Sequence, residues 1–113
     1  MTKSFNIREY QPKDLEGCRA LWKELVEWHR EIYQDPAIGG MSPEEHFDKY
    51  LAENGPDQLW VAVDNSQVVG FMGLIVKGNE AEMDPLIVGK AQRRKRIGEE
   101  LVNTAIKEVR IRD

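Results

Sequence analysis

A chain of 113 residues, 41% hydrophobic and 32% charged, has the size and balance of one globular domain spanning 1–113. No apolar run approaches the ~20 residues that cross a bilayer, and the N-terminus MTKSFNIREY lacks an apolar signal core, which points to the cytoplasm. Cys18 is the single cysteine, so an intrachain disulfide and a cysteine-rich metal site are excluded, while a net charge of −4 argues against general affinity for nucleic acid.

Along the chain, SFNIREYQ places Phe5, Ile7 and, after a charged pair, Tyr10 in the pattern of a short strand with one buried face. Pro12 stands where a helix can begin, with Asp14 and Glu16 in a first turn that favours negative charge. Leu15, Cys18, Leu21 with Trp22, Leu25, Trp28 and Ile32 then recur at three- and four-residue steps, predicting a long amphipathic helix. QDPAIGG, residues 34–40, reads as a loop. Ser42, Pro43 and Glu45 form a helix-start signature, and Phe47, Tyr50 and Leu51 give this second, shorter helix a buried side before Asn54-Gly55-Pro56 stops it.

Strand signals follow in close succession. LWVAV (59–63) and VVGFMGLIV (68–76) are rich in β-branched and aromatic residues, with DNSQ between them as a hairpin turn. KGNE makes a second turn into AEMDPLIV (81–88), where Pro85 is out of place in a regular central strand and signals a bulge or an end of pairing. From Ile97, the positions Leu101, Ala105 and Val109, flanked by Val102 and Ile106, predict a last helix running almost to Asp113. The order β-α-α-β-β-β-α describes an α/β (α+β) mixed sheet layered with helices.

Between the last strand and the last helix lies VGKAQRRKRIGEEL, in which five of the seven residues from Lys90 to Arg96 are basic. A helix start presents backbone N–H groups without intrahelical partners and a partial positive charge, so a basic loop leading into it suits phosphate. The run contains neither G-x-x-x-x-G-K-[ST] nor G-x-G-x-x-G. A solvated basic loop and a nucleic-acid contact remain the other readings; the second lacks interleaved aromatic residues.

Element order and spacing together resemble the GNAT superfamily of acyl-CoA-dependent N-acetyltransferases. Arg93-Arg94-Lys95-Arg96-Ile97-Gly98 stands where that family places its R/Q-x-x-G-x-G/A loop, Gly98 lies ten positions after Val88, and EMDPLIV is similar to its fourth strand. Arg96 replaces the motif's first glycine. The resemblance implies acetyl-CoA as cosubstrate: amides of Arg93, Arg94, Lys95, Arg96, Ile97 and Gly98 would hold its pyrophosphate, and the backbone of Leu86 and Val88 would pair with the pantetheine arm like an added strand. The Val88 N–H would polarise the thioester carbonyl. Complete members continue with further strands after this helix, so the resemblance also implies a short form lacking the usual C-terminal strands, whose fourth-strand edge would be covered by a second copy or a complementing chain.

Direct transfer to an amine needs a base for the ammonium proton. Glu82 and Asp84, two apart on the presumed fourth strand, share a face; Glu82 is preferred and Asp84 second, and both also suit ordinary polar positions. His29 reads as a packed or helix-end histidine, His46 as a surface residue and Cys18 as a small core residue. Trp22, Trp28 and Tyr33 are candidates for an acceptor pocket, although helical spacing places both tryptophans in the core. Two functions stand against each other: acetyl transfer to a primary amine, and a non-catalytic GNAT half-domain acting through oligomerisation or a partner chain.

Overall fold

Near-continuous burial along the central strands and three-to-four-residue burial along the helices belong to a sheet covered on both faces. A computed structural model of the chain describes residues 5–40, 42–43, 45–90 and 96–112. Strands Phe5–Glu9 (β1), Leu59–Asp64 (β2), Gln67–Lys77 (β3) and Glu80–Val88 (β4) pair in the order β1-β2-β3-β4, each antiparallel to its neighbour. Helices Leu15–Tyr33 (α1) and Glu45–Asn54 (α2) connect β1 to β2, and Ile97–Arg112 (α3) follows β4. The observed order is the one expected from the sequence.

β2 shows why both faces are covered. Leu59 and Val61 pack with Cys18 and Leu21 of α1 and with Phe47 and Tyr50 of α2. Trp60 and Ala62, on the opposite face, pack with Ile97, Leu101 and Ala105 of α3. A strand buried on both sides reads as a continuous apolar run, as LWVAV does. The β2–β3 turn holds Asn65 and Ser66 at φ 52° and 67°, the primed geometry that matches strand twist in a two-residue hairpin.

Three details differ from expectation. Pro12–Asp14 forms a 3-10 turn and α1 proper begins at Leu15. Asp14, expected as an acid of the helix's first turn, is buried and takes two hydrogen bonds from Arg8, Nη1 to Oδ2 and Nη2 to Oδ1, each 2.8 Å, plus one from the Gln11 N–H. At the other end of α1 the apolar stripe stops early. Ile32 is 50% exposed, while Val26 is buried because Gly39 folds over it at φ +81°, where a side chain would collide with the valine.

Pro85 marks a bulge. Met72 pairs with Leu86 and Leu74 with Met83, so Asp84 and Pro85 together stand opposite Gly73; the Asp84–Pro85 peptide is cis. Pairing resumes at Leu86 and runs to Val88.

Candidate functional site

β4 pairs with β3 on one side only among the described strands. The Gly89 N–H donates to the Val69 carbonyl at 2.8 Å, which makes Gly70–Val88 a pair that exchanges no hydrogen bonds. The N–H and C=O of Val88 therefore point away from β3, to the free edge, and ladder alternation turns those of Leu86 the same way. The Leu86 side chain is half-exposed beside them.

Beyond β4 the chain reaches the basic loop. Arg93, Arg94 and Lys95 lie outside the described residues. Arg96 is described, with φ +64°, inside the left-handed region that favours glycine. Its guanidinium is exposed and pairs with Glu99 (Nε to Oε2, 3.6 Å), while its carbonyl accepts from the Glu100 N–H at 3.1 Å. Ile97 buries its side chain completely, so only its backbone belongs to the helix-start surface. Among the described residues a Cβ added at Gly98 would meet only Val88 Cγ2, at an ordinary 3.7 Å, so their packing does not demand a glycine there.

Glu82 and Asp84 lie on the exposed part of β4. Glu82 pairs with Ile75, whose side chain packs with the cluster under α1 and α2. Asp84 sits in the bulge on the same side, close enough to Tyr50 of α2 for its negative charge to act there. Burial and that charge together hold the Tyr50 phenol above its ordinary value. The Tyr50 hydroxyl is buried and has no hydrogen-bond partner among the described residues. It seats over Gly73, where a Cβ would overlap the hydroxyl and stand 2.8 Å from the Asp84 carbonyl oxygen.

The α1 candidates separate. Trp22 packs into the core beside Phe47, Tyr50 and Phe71, with ring centroids 6.2–6.4 Å apart. Trp28, His29 and Tyr33 form a run of rings 5.9–6.0 Å apart, with Tyr33 mostly exposed. Cys18 is fully buried, and burial, with a smaller push from Asp14 and a counter-pull from Arg8, moves its thiol up to about 12. His46 is exposed, yet its ring stacks on Trp22 and its Nε2 lies 2.8 Å from the Gly39 carbonyl. A carbonyl only accepts, so that nitrogen carries the proton.

Several polar contacts have no pattern in the sequence that would reveal them. The Arg30 guanidinium donates to the carbonyls of Ile38 (Nε, 2.6 Å) and Gly40 (Nη2), on either side of the Gly39 carbonyl taken by His46. Glu24 Oε1 on α1 accepts from the Lys90 N–H at 2.7 Å. Neither pair is sequence-adjacent or helix-periodic.

Residues 22–112 match the model of the acetyltransferase (GNAT) family. The chain belongs to that family. Among curated proteins no sequence matches it. The GNAT fold is seen in solved structures under 25% identical. The PaiA N-acetyltransferase of Thermoplasma acidophilum, in complex with coenzyme A, superposes with a TM-score of 0.73 at 24% identity over 96% of this chain and 74% of that one. A GNAT-family acetyltransferase from Brucella melitensis, in complex with acetyl-CoA, gives 0.69 at 19% identity over 96% and 70%. A structure from Pyrococcus horikoshii gives 0.73 at 23% identity over 97% of this chain and 36% of its own length. This GNAT chain thus spans between about a third and three-quarters of the length of these relatives. No helix among the described residues is long and apolar enough to cross a membrane.

Proposed function

We propose that the chain, acting as one domain in the cytoplasm, binds acetyl-CoA and transfers its acetyl group to a primary amine. The observation that carries this reading is the outward-facing backbone of Leu86 and Val88 at a free strand edge, leading directly into the basic loop and the start of α3. The left-handed Arg96 supports it, since the chain there follows a path suited to glycine although its side chain is arginine. So does the space above Gly98, where among the described residues an added Cβ would meet only Val88 Cγ2, at 3.7 Å. The donor set suits a diphosphate: orphan amides at the α3 start, preceded in the sequence by Arg93, Arg94, Lys95 and Arg96. Fold relatives solved with coenzyme A and acetyl-CoA support the same ligand.

Acetyl-CoA, when bound, supplies an acyl group activated as a thioester. The chain's own residues do the rest. Amides from Arg93 to Gly98 hold the diphosphate, and the Leu86 and Val88 backbone aligns the pantetheine arm. The Val88 N–H, aimed at the free edge, is the donor available to an oxygen that gains negative charge. Glu82, or Asp84 in its place, takes the proton that the ammonium must lose before its nitrogen forms the new C–N bond; the C–S bond breaks and the sulfur leaves as thiolate.

Calorimetric titration of acetyl-CoA into the purified chain tests the reading. Micromolar binding that is lost in Arg93→Ala/Arg94→Ala supports it, and absence of binding at millimolar acetyl-CoA overturns it. With binding established, Glu82→Gln is expected to lower the acetylation rate of an amine substrate by about 10²-fold or more and to leave acetyl-CoA affinity unchanged.

A second reading has an observation of its own. An apolar groove of about 380 Å³ runs between β4 and α3, lined by Leu74, Ala81, Met83, Ala105, Ile106 and Val109. Met83 and Ile106 are 40% and 44% exposed there. A non-catalytic GNAT half-domain would cover this groove and the free edge with a second copy or a complementing chain. A solution mass of a dimer, unchanged by acetyl-CoA, favours it; a monomer that binds acetyl-CoA removes it.

A further inference from the structure

The root of the basic loop is held from a helix on the opposite side of the sheet from α3. Leu21 and Leu25 pack into the cluster under α1, and Trp22 lies 6.2 Å from Phe71 of β3, so α1 is fixed against the sheet at this height. Glu24, exposed on the same turn, is thereby carried to the end of β4, where Oε1 accepts the Lys90 N–H across 66 positions of sequence. At 2.7 Å this is at the short end of charge-assisted N–H···O contacts. The amide just before it, that of Gly89, is taken by Val69 of β3. Two successive amides after Val88 are therefore held from two directions, one by the sheet and one by α1.

We propose that Glu24 is a positioning residue for the cofactor. It fixes the turn at Gly89 and Lys90 through which β4 leads into the basic loop, and with it the direction in which the Val88 backbone is presented to the cofactor. This rests on the acetyl-CoA reading above. The carboxylate has two opposite effects on such a ligand. Its hydrogen bond orders the loop root before binding, which favours affinity; its negative charge beside the loop opposes a diphosphate. Two substitutions separate these effects, because Glu24→Gln keeps an oxygen acceptor without the charge and Glu24→Ala removes both. The side chain is exposed, so neither variant opens a cavity.

The experiment measures coenzyme A affinity by calorimetry and, without ligand, the amide resonance and hydrogen exchange of Lys90 in the wild type and both variants. Glu24→Gln is expected to bind as tightly as the wild type or more so. Glu24→Ala is expected to bind roughly fivefold more weakly than Glu24→Gln, the effect of one net hydrogen bond. The Lys90 amide proton should move upfield and exchange faster in Glu24→Ala only. Equal affinities in the two variants overturn the proposal, as does a Lys90 amide indifferent to Glu24→Ala. A wild type that shows the Lys90 signature and binds no coenzyme A overturns the acetyl-CoA reading instead, and removes the positioning role while leaving the tether.

Discussion

The contact between Tyr50 and Gly73 sets the shape of the β4 bulge, and its energetics can be worked through. In Gly73→Ala the new methyl would occupy the place of the Tyr50 hydroxyl and lie 2.8 Å from Tyr50 Cζ and from the Asp84 carbonyl oxygen. Tyr50 cannot swing aside freely, since its ring is packed 6.3 Å from Trp22 in the core. The carbonyl belongs to the bulge itself. Overpacking of this kind costs about 1–3 kcal/mol, and contact with backbone places this case near 3, reduced by about 0.5 for replacing a strand glycine. Tyr50→Phe should be neutral or stabilising by up to about 1 kcal/mol, because the hydroxyl it removes is buried with no partner among the described residues. In the double variant the hydroxyl overlap is gone but the Cζ and carbonyl contacts remain, so about 1 kcal/mol of the loss should return. Urea denaturation of the four proteins gives the cycle. Refutation would come from a Gly73→Ala loss below about 0.5 kcal/mol, or from Tyr50→Phe losing more than about 1 kcal/mol, which would mean that the hydroxyl has a partner.

Other outcomes are equally open to measurement. Arg96→Gly should stabilise the chain by about 0.5–1 kcal/mol, since relief of a left-handed non-glycine residue exceeds the loss of an exposed pair with Glu99, and Arg96→Ala should not; thermal unfolding separates the two. Asp14 is subject to burial, which would raise its pKa, but the Arg8 hydrogen bonds, the Gln11 N–H and the charges of Arg8 and Lys13 prevail and hold the folded value below the ordinary one. Its contribution to stability is therefore present above the unfolded carboxylate value of about 3.9 and lost as pH falls through the lower folded value. Urea midpoints followed down from pH 6 should fall more steeply for the wild type than for Asp14→Asn, and parallel curves would contradict the pairing. Cys18, buried and with its thiol pushed up to about 12, should resist thiol reagents at pH 8 until urea unfolds the chain.

What was legible in the sequence was what periodicity and turn chemistry carry. The strand LWVAV, the glycine-proline stop after α2 and the apolar steps of α3 each follow a local rule, and their order led to the family that the match over residues 22–112 bears out. The bulge at Pro85 was legible for the same reason, because a proline cannot complete a central ladder. Contacts between distant residues were not. Val26 is buried through a glycine thirteen positions later, Asp14 through an arginine on β1, and Lys90 is tethered by a helix whose pattern shows Glu24 only as a solvent-facing residue. Tyr50 was read correctly as facing inward, but nothing in the sequence shows that its hydroxyl would seat over Gly73 with no partner among the described residues. The ends of α1 were blurred because burial at each is set from outside the helix, by Arg8 of β1 at one and by Gly39 of the following loop at the other.

The connection between α1 and α2 has one further consequence. Arg30 and His46, one from each helix, grip the carbonyls of Ile38, Gly39 and Gly40 in turn. Such a grip reads the main chain and ignores what is attached to it. The exposed Ala37 and the partly buried Ile38 can therefore be exchanged for other side chains while the loop keeps its course, with Gly39, packed on Val26, as the fixed point between a variable stretch of surface and an unchanged frame.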